Sequence, residues 1–129
     1  LEDLKMKVKG LTESEKITMK CVWNLGDGTR LAHILAEANG RYGKEWKSQT
    51  VSTFLGKLVL KGYLEQYRDG RYYCYRILIS KKEYRCQELA QEMRFWDDGD
   101  VNEFVDELLD PSTFTPTERR ALVDAIQNK

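Results

Sequence analysis

The chain has 129 residues, 41% hydrophobic and 33% charged, with 21 basic against 21 acidic side chains. That is one ordinary domain with room for a short appendage, and no apolar run approaches the ~20 residues of a membrane span, so no membrane insertion is expected. The cysteines Cys21, Cys74 and Cys86 lie far apart without a CxxC pair, beside a single histidine; this argues against zinc or a disulfide framework and points to a reducing cytoplasm.

Residues 1–10 form a lysine-rich, weakly apolar lead-in ending at Gly10. No signal-peptide pattern opens the chain, and because it starts at Leu1 rather than Met, a few leading residues are expected to be missing. Thr12-Glu13-Ser14-Glu15 is a capping box, with Thr12 as cap and Glu15 reaching back. Its helix runs to about Leu25, buries some of Ile17, Met19, Cys21, Val22 and Trp23, and stops at Gly26-Asp27-Gly28. Thr29 is expected to cap a second helix, Arg30 to about Ala38, with Leu31, Ile34, Leu35 and Ala38 as its apolar stripe and Asn39-Gly40 as its end. In the connection 41–47, Trp46 is placed to pin the chain to the core, and Tyr42 to do the same.

The third helix, opened by Lys47 or Ser48 and ending near Lys61-Gly62, carries the strongest signal. At about 100° per residue Val51, Phe54, Leu55, Leu58 and Val59 share one face. Gln49, Ser52, Thr53, Gly56 and Lys57 lie opposite, on a face without any acid. Hydroxyls, an amide and a lysine suit a helix lying in a DNA major groove. A hairpin follows, Tyr63–Tyr67 and Arg71–Ile77, turning at Asp69-Gly70 with Arg68 and Arg71 at its tip. Helix plus basic-tipped hairpin is the winged helix-turn-helix pattern. Gln49, Thr50, Ser52 and Thr53 are the candidate base readers, with A·T steps preferred. Lys44, Lys47, Lys57, Arg68 and Arg71 are the candidate phosphate contacts, which position but do not specify. Gly56 either lets the helix backbone approach the groove or makes room for a neighbouring side chain. Residues 1–79 carry 14 Lys+Arg against 9 Asp+Glu and residues 80–129 carry 7 against 12, a basic front that suits phosphates.

Ser80 caps a long helix, about Lys81 to Phe95, with Tyr84, Leu89, Met93 and Trp96 along one side. Asp97-Asp98-Gly99-Asp100 breaks it, a short helix spans Val101 to Leu109, and Thr115-Pro116-Thr117-Glu118 opens the last. That helix, to about Ile126, is expected to bury Leu122, Val123 and Ile126. Fifty residues with apolar stripes this long need a partner surface, most simply a second copy in a two-fold dimer; folding back on the winged domain is the alternative. The fold class expected is mainly α with a small β-hairpin: a winged helix-turn-helix domain over residues 1–79, then a helical dimerisation domain over 80–129. No nucleophile–base set or Gly-rich phosphate loop is present, so neither an enzyme nor a cofactor is expected, and His33 reads as a surface residue.

Several segments carry a resemblance. Leu11-Thr12-Glu13-Ser14-Glu15, Met19-Lys20 and Trp23 lead into Trp46, Thr50-Val51, Thr53-Phe54-Leu55 and Lys57-Leu58. Lys61-Gly62-Tyr63-Leu64, Asp69-Gly70-Arg71, Tyr75 and Ser80-Lys81-Lys82-Glu83-Tyr84 follow. Together with Phe104-Val105 and Thr115-Pro116-Thr117-Glu118, they make the chain resemble the penicillinase repressors (BlaI and MecI, with the related copper-responsive CopY). The resemblance implies a homodimeric winged-helix repressor on a palindromic double-stranded DNA operator. It also implies release when a sensor-linked protease cuts the C-terminal region, between an Asn and a Phe in the lactam-responsive members. The chain departs from the family pattern in several places. Ser48, Gln49 and Ser52 stand where a Pro, a basic residue and an Arg are usual. Lys16 replaces a bulky residue, Glu103 separates Asn102 from Phe104, and the CopY cysteine cluster is absent. Two other readings stay open: a small-molecule sensor with a site among Tyr84, Phe95, Trp96 and Phe104, and a winged-helix protein-interaction module without DNA binding.

Overall fold

A computed structural model describes residues 8–129. Its elements in chain order are α1 (Glu13–Leu25), β1 (Thr29–Arg30), α2 (Leu31–Arg41), α3 (Ser48–Leu60), β2 (Leu64–Asp69), β3 (Tyr72–Ile77), α4 (Lys81–Trp96), α5 (Val101–Leu108) and α6 (Pro116–Gln127). Residues 1–7 of the lead-in lie outside the described residues. The chain divides into two compact units, one reaching to Arg85 and the other Cys86–Lys129. No described helix is long and apolar enough to cross a membrane.

The first unit is a winged helix-turn-helix, built where three amphipathic stripes meet. Met19, Cys21 and Val22 from α1, Ile34 and Ala38 from α2, and Val51, Leu55 and Leu58 from α3 are fully buried, and Tyr63, Leu64 and Tyr75 close the core. Thr12 and Glu15 form the expected box at the start of α1. Glu15 does more than cap: it is 2% exposed and accepts a 2.5 Å bond from Lys61 Nζ. Burial pushes its carboxyl up. The bonds from Lys61 and from the Thr12 amide, with the Lys61 charge, outweigh that and hold it below its ordinary value. Trp46 is pinned as expected. Its N–H donates to Asn39 Oδ1 and its carbonyl accepts from Asn39 Nδ2, both at 3.0 Å, while its ring stands edge-on to Phe54.

Several local expectations change. Thr29 does not cap α2. Thr29 and Arg30 form a short strand antiparallel to β3, paired with Tyr75 and Cys74, so the sheet has three strands in the order β1-β3-β2. Gly28 N–H donates to Tyr75 O and Asp27 Oδ1 accepts from Ile77 N–H, drawing the α1–α2 turn onto β3. Asn39-Gly40 does not end α2, because Asn39 spends its amide on Trp46; the helix continues to Arg41. Tyr84 does not join a stripe with Leu89 and Met93. Its ring packs 5.7 Å from Trp23 and 6.0 Å from Tyr63, so the first turn of α4 belongs to the first unit. Cys21 and Cys74 are buried, but Cys86 is exposed. Burial, with Glu37 nearby, pushes the Cys21 thiol up to about 11, so it stays protonated and inert.

The second unit is held by caps more than by a core. Asp100 caps α5, and Thr115 with Glu118 boxes α6 behind Pro116; the box of Ser80 and Glu83 at the start of α4 belongs to the first unit. No apolar side chain of Cys86–Lys129 is fully buried. Leu89, Phe95, Trp96 and Val101 are exposed, as is Ile126, which was expected inside. The one buried residue is Asp97; hydrogen bonding to it, then burial and its charge, raise the Glu107 carboxyl above its ordinary value.

Candidate nucleic-acid interface

The core fixes which side of α3 faces out. With Val51, Leu55 and Leu58 inward, Gln49, Ser52, Thr53, Gly56 and Lys57 are exposed, and Thr50 is half-buried at the margin. Thr53 Oγ1 donates to Gln49 O at 3.0 Å, which commits its proton and leaves its methyl and lone pairs free. Gln49 keeps its side-chain amide free of any hydrogen bond among the described residues, with the donor and acceptor that an adenine edge requires. Lys47 is the N-cap of α3 but makes no side-chain cap bond. A Cβ on Gly56 would meet nothing within 4 Å, so the glycine clears no space for a neighbouring side chain. What it leaves is bare helix backbone at the surface.

The hairpin stands beside this face. Asp69 pairs with Tyr72, so the two loop residues are Gly70 and Arg71, one later than the expected turn. Gly70, at φ +65°, takes the left-handed conformation such a loop needs. Ser52 and Gly56 of α3, Arg30 and His33 at the start of α2, and Gln66, Arg71, Tyr72 and Tyr73 of the hairpin line one groove. Arg68 lies over the Tyr73 ring at 4.9 Å and reaches its hydroxyl at 3.4 Å. Arg30 lies over the Tyr72 ring at 4.3 Å. Ring stacking holds a guanidinium in place without neutralising it.

Some cations of the first unit are paired and others are not. Arg41 pairs with Glu37, Lys61 with Glu15 and Arg76 with Glu65. Arg30, Lys44, Lys47, Lys57, Arg68 and Arg71 have no ion pair among the described residues. Those on the groove are therefore left to attract anions. Lys44 is the least committed to it, lying 5.8 Å over the Trp46 ring.

Of the sequence candidates, Ser52 and Arg71 line the groove, Arg68 stacks on one of its rings, and Gln49, Thr53 and Lys57 share the open face of α3. Arg30, Gln66, Tyr72 and Tyr73 were missed. Arg30 had no readable signal, since a two-residue strand has no periodicity. The tyrosines had none either, because alternation along β3 puts Tyr72 and Tyr73 on opposite faces, yet both line the groove at the exposed end of the hairpin.

Residues 11–128 match the family model described as penicillinase repressor. An uncharacterized 16.5 kDa protein from the ptsI 3′ region of Latilactobacillus sakei is 31% identical over 75 residues, which are 57% of this chain and 48% of that protein. The match thus spans about half of that relative's length. The solution structure of the DNA-binding domain of the repressor BlaI aligns with 62% of this chain and 94% of its own, at 24% identity and a TM-score of 0.51. The monomeric form of Bacillus licheniformis BlaI, solved with the blaP half-operator, aligns with 60% of this chain and 92% of its own, at 24% identity and a TM-score of 0.49.

Proposed function

The chain belongs to the penicillinase repressor family, whose members are transcriptional regulators and not enzymes, and from that premise we propose a homodimer that holds a palindromic operator. DNA-binding repression is the family's work. The finer reading is that α3 enters the major groove, with Gln49, Thr50, Ser52 and Thr53 at the bases. Lys47, Lys57, Arg68 and Arg71, joined by Arg30, meet phosphates. The observation that carries it is the acid-free, outward face of α3 sharing one groove with Arg71 and the unpaired Arg30.

Residues 1–79 serve as the DNA-binding part, and residues 80–129 hold two copies at a fixed spacing. The exposed apolar residues of the second unit support the dimer: helices without a buried core need another surface to cover them. A cut by a sensor-linked protease near Asn102-Glu103-Phe104, where Asn102 and Glu103 are exposed at the start of α5, would release the operator, since one winged unit makes too few contacts alone. The setting is the cytoplasm.

Gel-shift titrations on inverted-repeat duplexes at two salt concentrations test this. Affinity should fall with a log–log slope near −0.9 per phosphate neutralised. Arg71→Ala should weaken binding on all sequences alike, while Gln49→Ala should relax preference at particular positions by about 1–3 kcal/mol. Binding indifferent to salt and to both changes would favour a protein-interaction module.

A further inference from the structure

The corner between α4 and α5 gathers three carboxylates. Asp97 sits just past the end of α4, its backbone fixed by Asp97 N–H to Met93 O and Asp100 N–H to Asp97 O. Glu103 and Glu107, four apart on one side of α5, reach back to it. One carboxylate oxygen from each lies within 4.8 Å of the other two. Glu103 and Glu107 are exposed. Asp97 is 3% exposed, and its Oδ1 is buried with no hydrogen-bond partner among the described residues.

That orphaned oxygen is a separate observation from the crowding of charge. A buried carboxylate oxygen without a donor is costly. Its companions in the cluster are also carboxylates, and this oxygen receives a hydrogen bond from neither of them. What the cluster lacks is positive charge at its centre.

We propose that Asp97, Glu103 and Glu107 bind a hard divalent cation of calcium size, with water completing its shell on the exposed side. The donors are all oxygen, with no sulfur or imidazole among them, which suits calcium or manganese over zinc or copper. At metal–oxygen distances of ~2.3–2.6 Å, oxygens on opposite sides of such an ion stand about 4.6–5.2 Å apart and adjacent ones about 3.3–3.7 Å. The three oxygens stand no more than 4.8 Å from one another, close enough for small side-chain movements to bring all of them onto one such ion. The ion would tie the end of α4 to α5, in a unit that has no buried apolar residue to do so.

The test uses the full chain, stripped with a chelator. Calcium, manganese and magnesium chlorides are titrated separately by calorimetry and thermal melting, with sodium chloride at matched ionic strength as control. Terbium luminescence, sensitised by the adjacent Trp96, reports occupancy. Calcium should bind one ion per chain with half-saturation at about 10⁻⁴–10⁻³ M and raise the melting midpoint. Glu103→Gln and Glu107→Gln, at exposed positions that keep the fold by circular dichroism, should each weaken binding about tenfold or more, because affinity follows ligand charge. Asp97→Asn should abolish binding yet raise the midpoint of the cation-free chain, since its amide can donate to Glu103 or Glu107. No saturable binding up to about 10 mM, a response that sodium reproduces, or undiminished affinity in both glutamine variants would overturn the site.

Discussion

Glu15 combines a cap with a buried ion pair, and the two roles separate under mutation. Lys61 supplies it with charge from the far end of α3 and also bonds Gly10 O at 2.9 Å. Lys61→Met should cost about 3 kcal/mol, the lower end for a buried pair losing one partner, because Lys61 itself is partly exposed; urea unfolding would measure it. The acid behaviour follows from the sign of the shift. Glu15's folded carboxyl titrates below its ordinary 4.5, so the unfolded chain takes up the proton first as pH falls. The stability it contributes is fully present above that ordinary value and is lost as pH drops through the folded value. Glu15→Gln should flatten the stability–pH curve in that acid window and leave its slope above pH 4.5 unchanged.

At the scale of elements, α3 is both a core helix and an open surface, and Gly56 marks the boundary. An alanine there would meet no neighbour, so folding should gain about 0.5–1 kcal/mol from the better helix former. If the backbone at this point lies against DNA, Gly56→Ala should nevertheless weaken operator binding severalfold. Thermal melts and gel shifts on the same preparation separate the two effects; a variant that is stabler and binds as well as the parent would remove Gly56 from the interface. The hairpin is braced differently from α3. Arg30 from β1 and Arg68 from β2 stack on Tyr72 and Tyr73 of β3, and the third strand ties the wing to the start of α2. The groove wall is therefore one sheet, not a free ribbon.

For the whole molecule, the two units differ in how they are held. The first has a closed core of fully buried residues from three helices and the sheet. The second has good caps and exposed Phe95, Trp96 and Val101, with the Phe95 and Trp96 rings edge-to-face at 4.7 Å. If a second copy covers them, Trp96→Glu should shift the chain to monomer in sedimentation velocity. It should also lower affinity for a full inverted repeat by about 10²-fold or more, the avidity linked modules gain, while half-site binding stays as it was. A dimer that survives the change would move the interface elsewhere.

Much of the architecture was legible from local chemistry. The capping boxes at Thr12 and Thr115, the apolar stripes of α1 to α3 and the basic hairpin each lie within a few residues of sequence, and short-range rules suffice for them. The outward face of α3 was legible for the same reason, since a 3.6-residue period fixes which side chains oppose the core. What tertiary structure decided is everything that joins distant segments. A two-residue strand at Thr29–Arg30 has no pattern of its own and exists only because β3 offers it partners. Tyr84 belongs to the first unit because Trp23 and Tyr63 meet it there, not because of its place on α4. The Glu15–Lys61 pair, the Arg30–Tyr72 stack and the carboxylates around Asp97 likewise arise from packing, which sets distances that spacing along a chain does not contain.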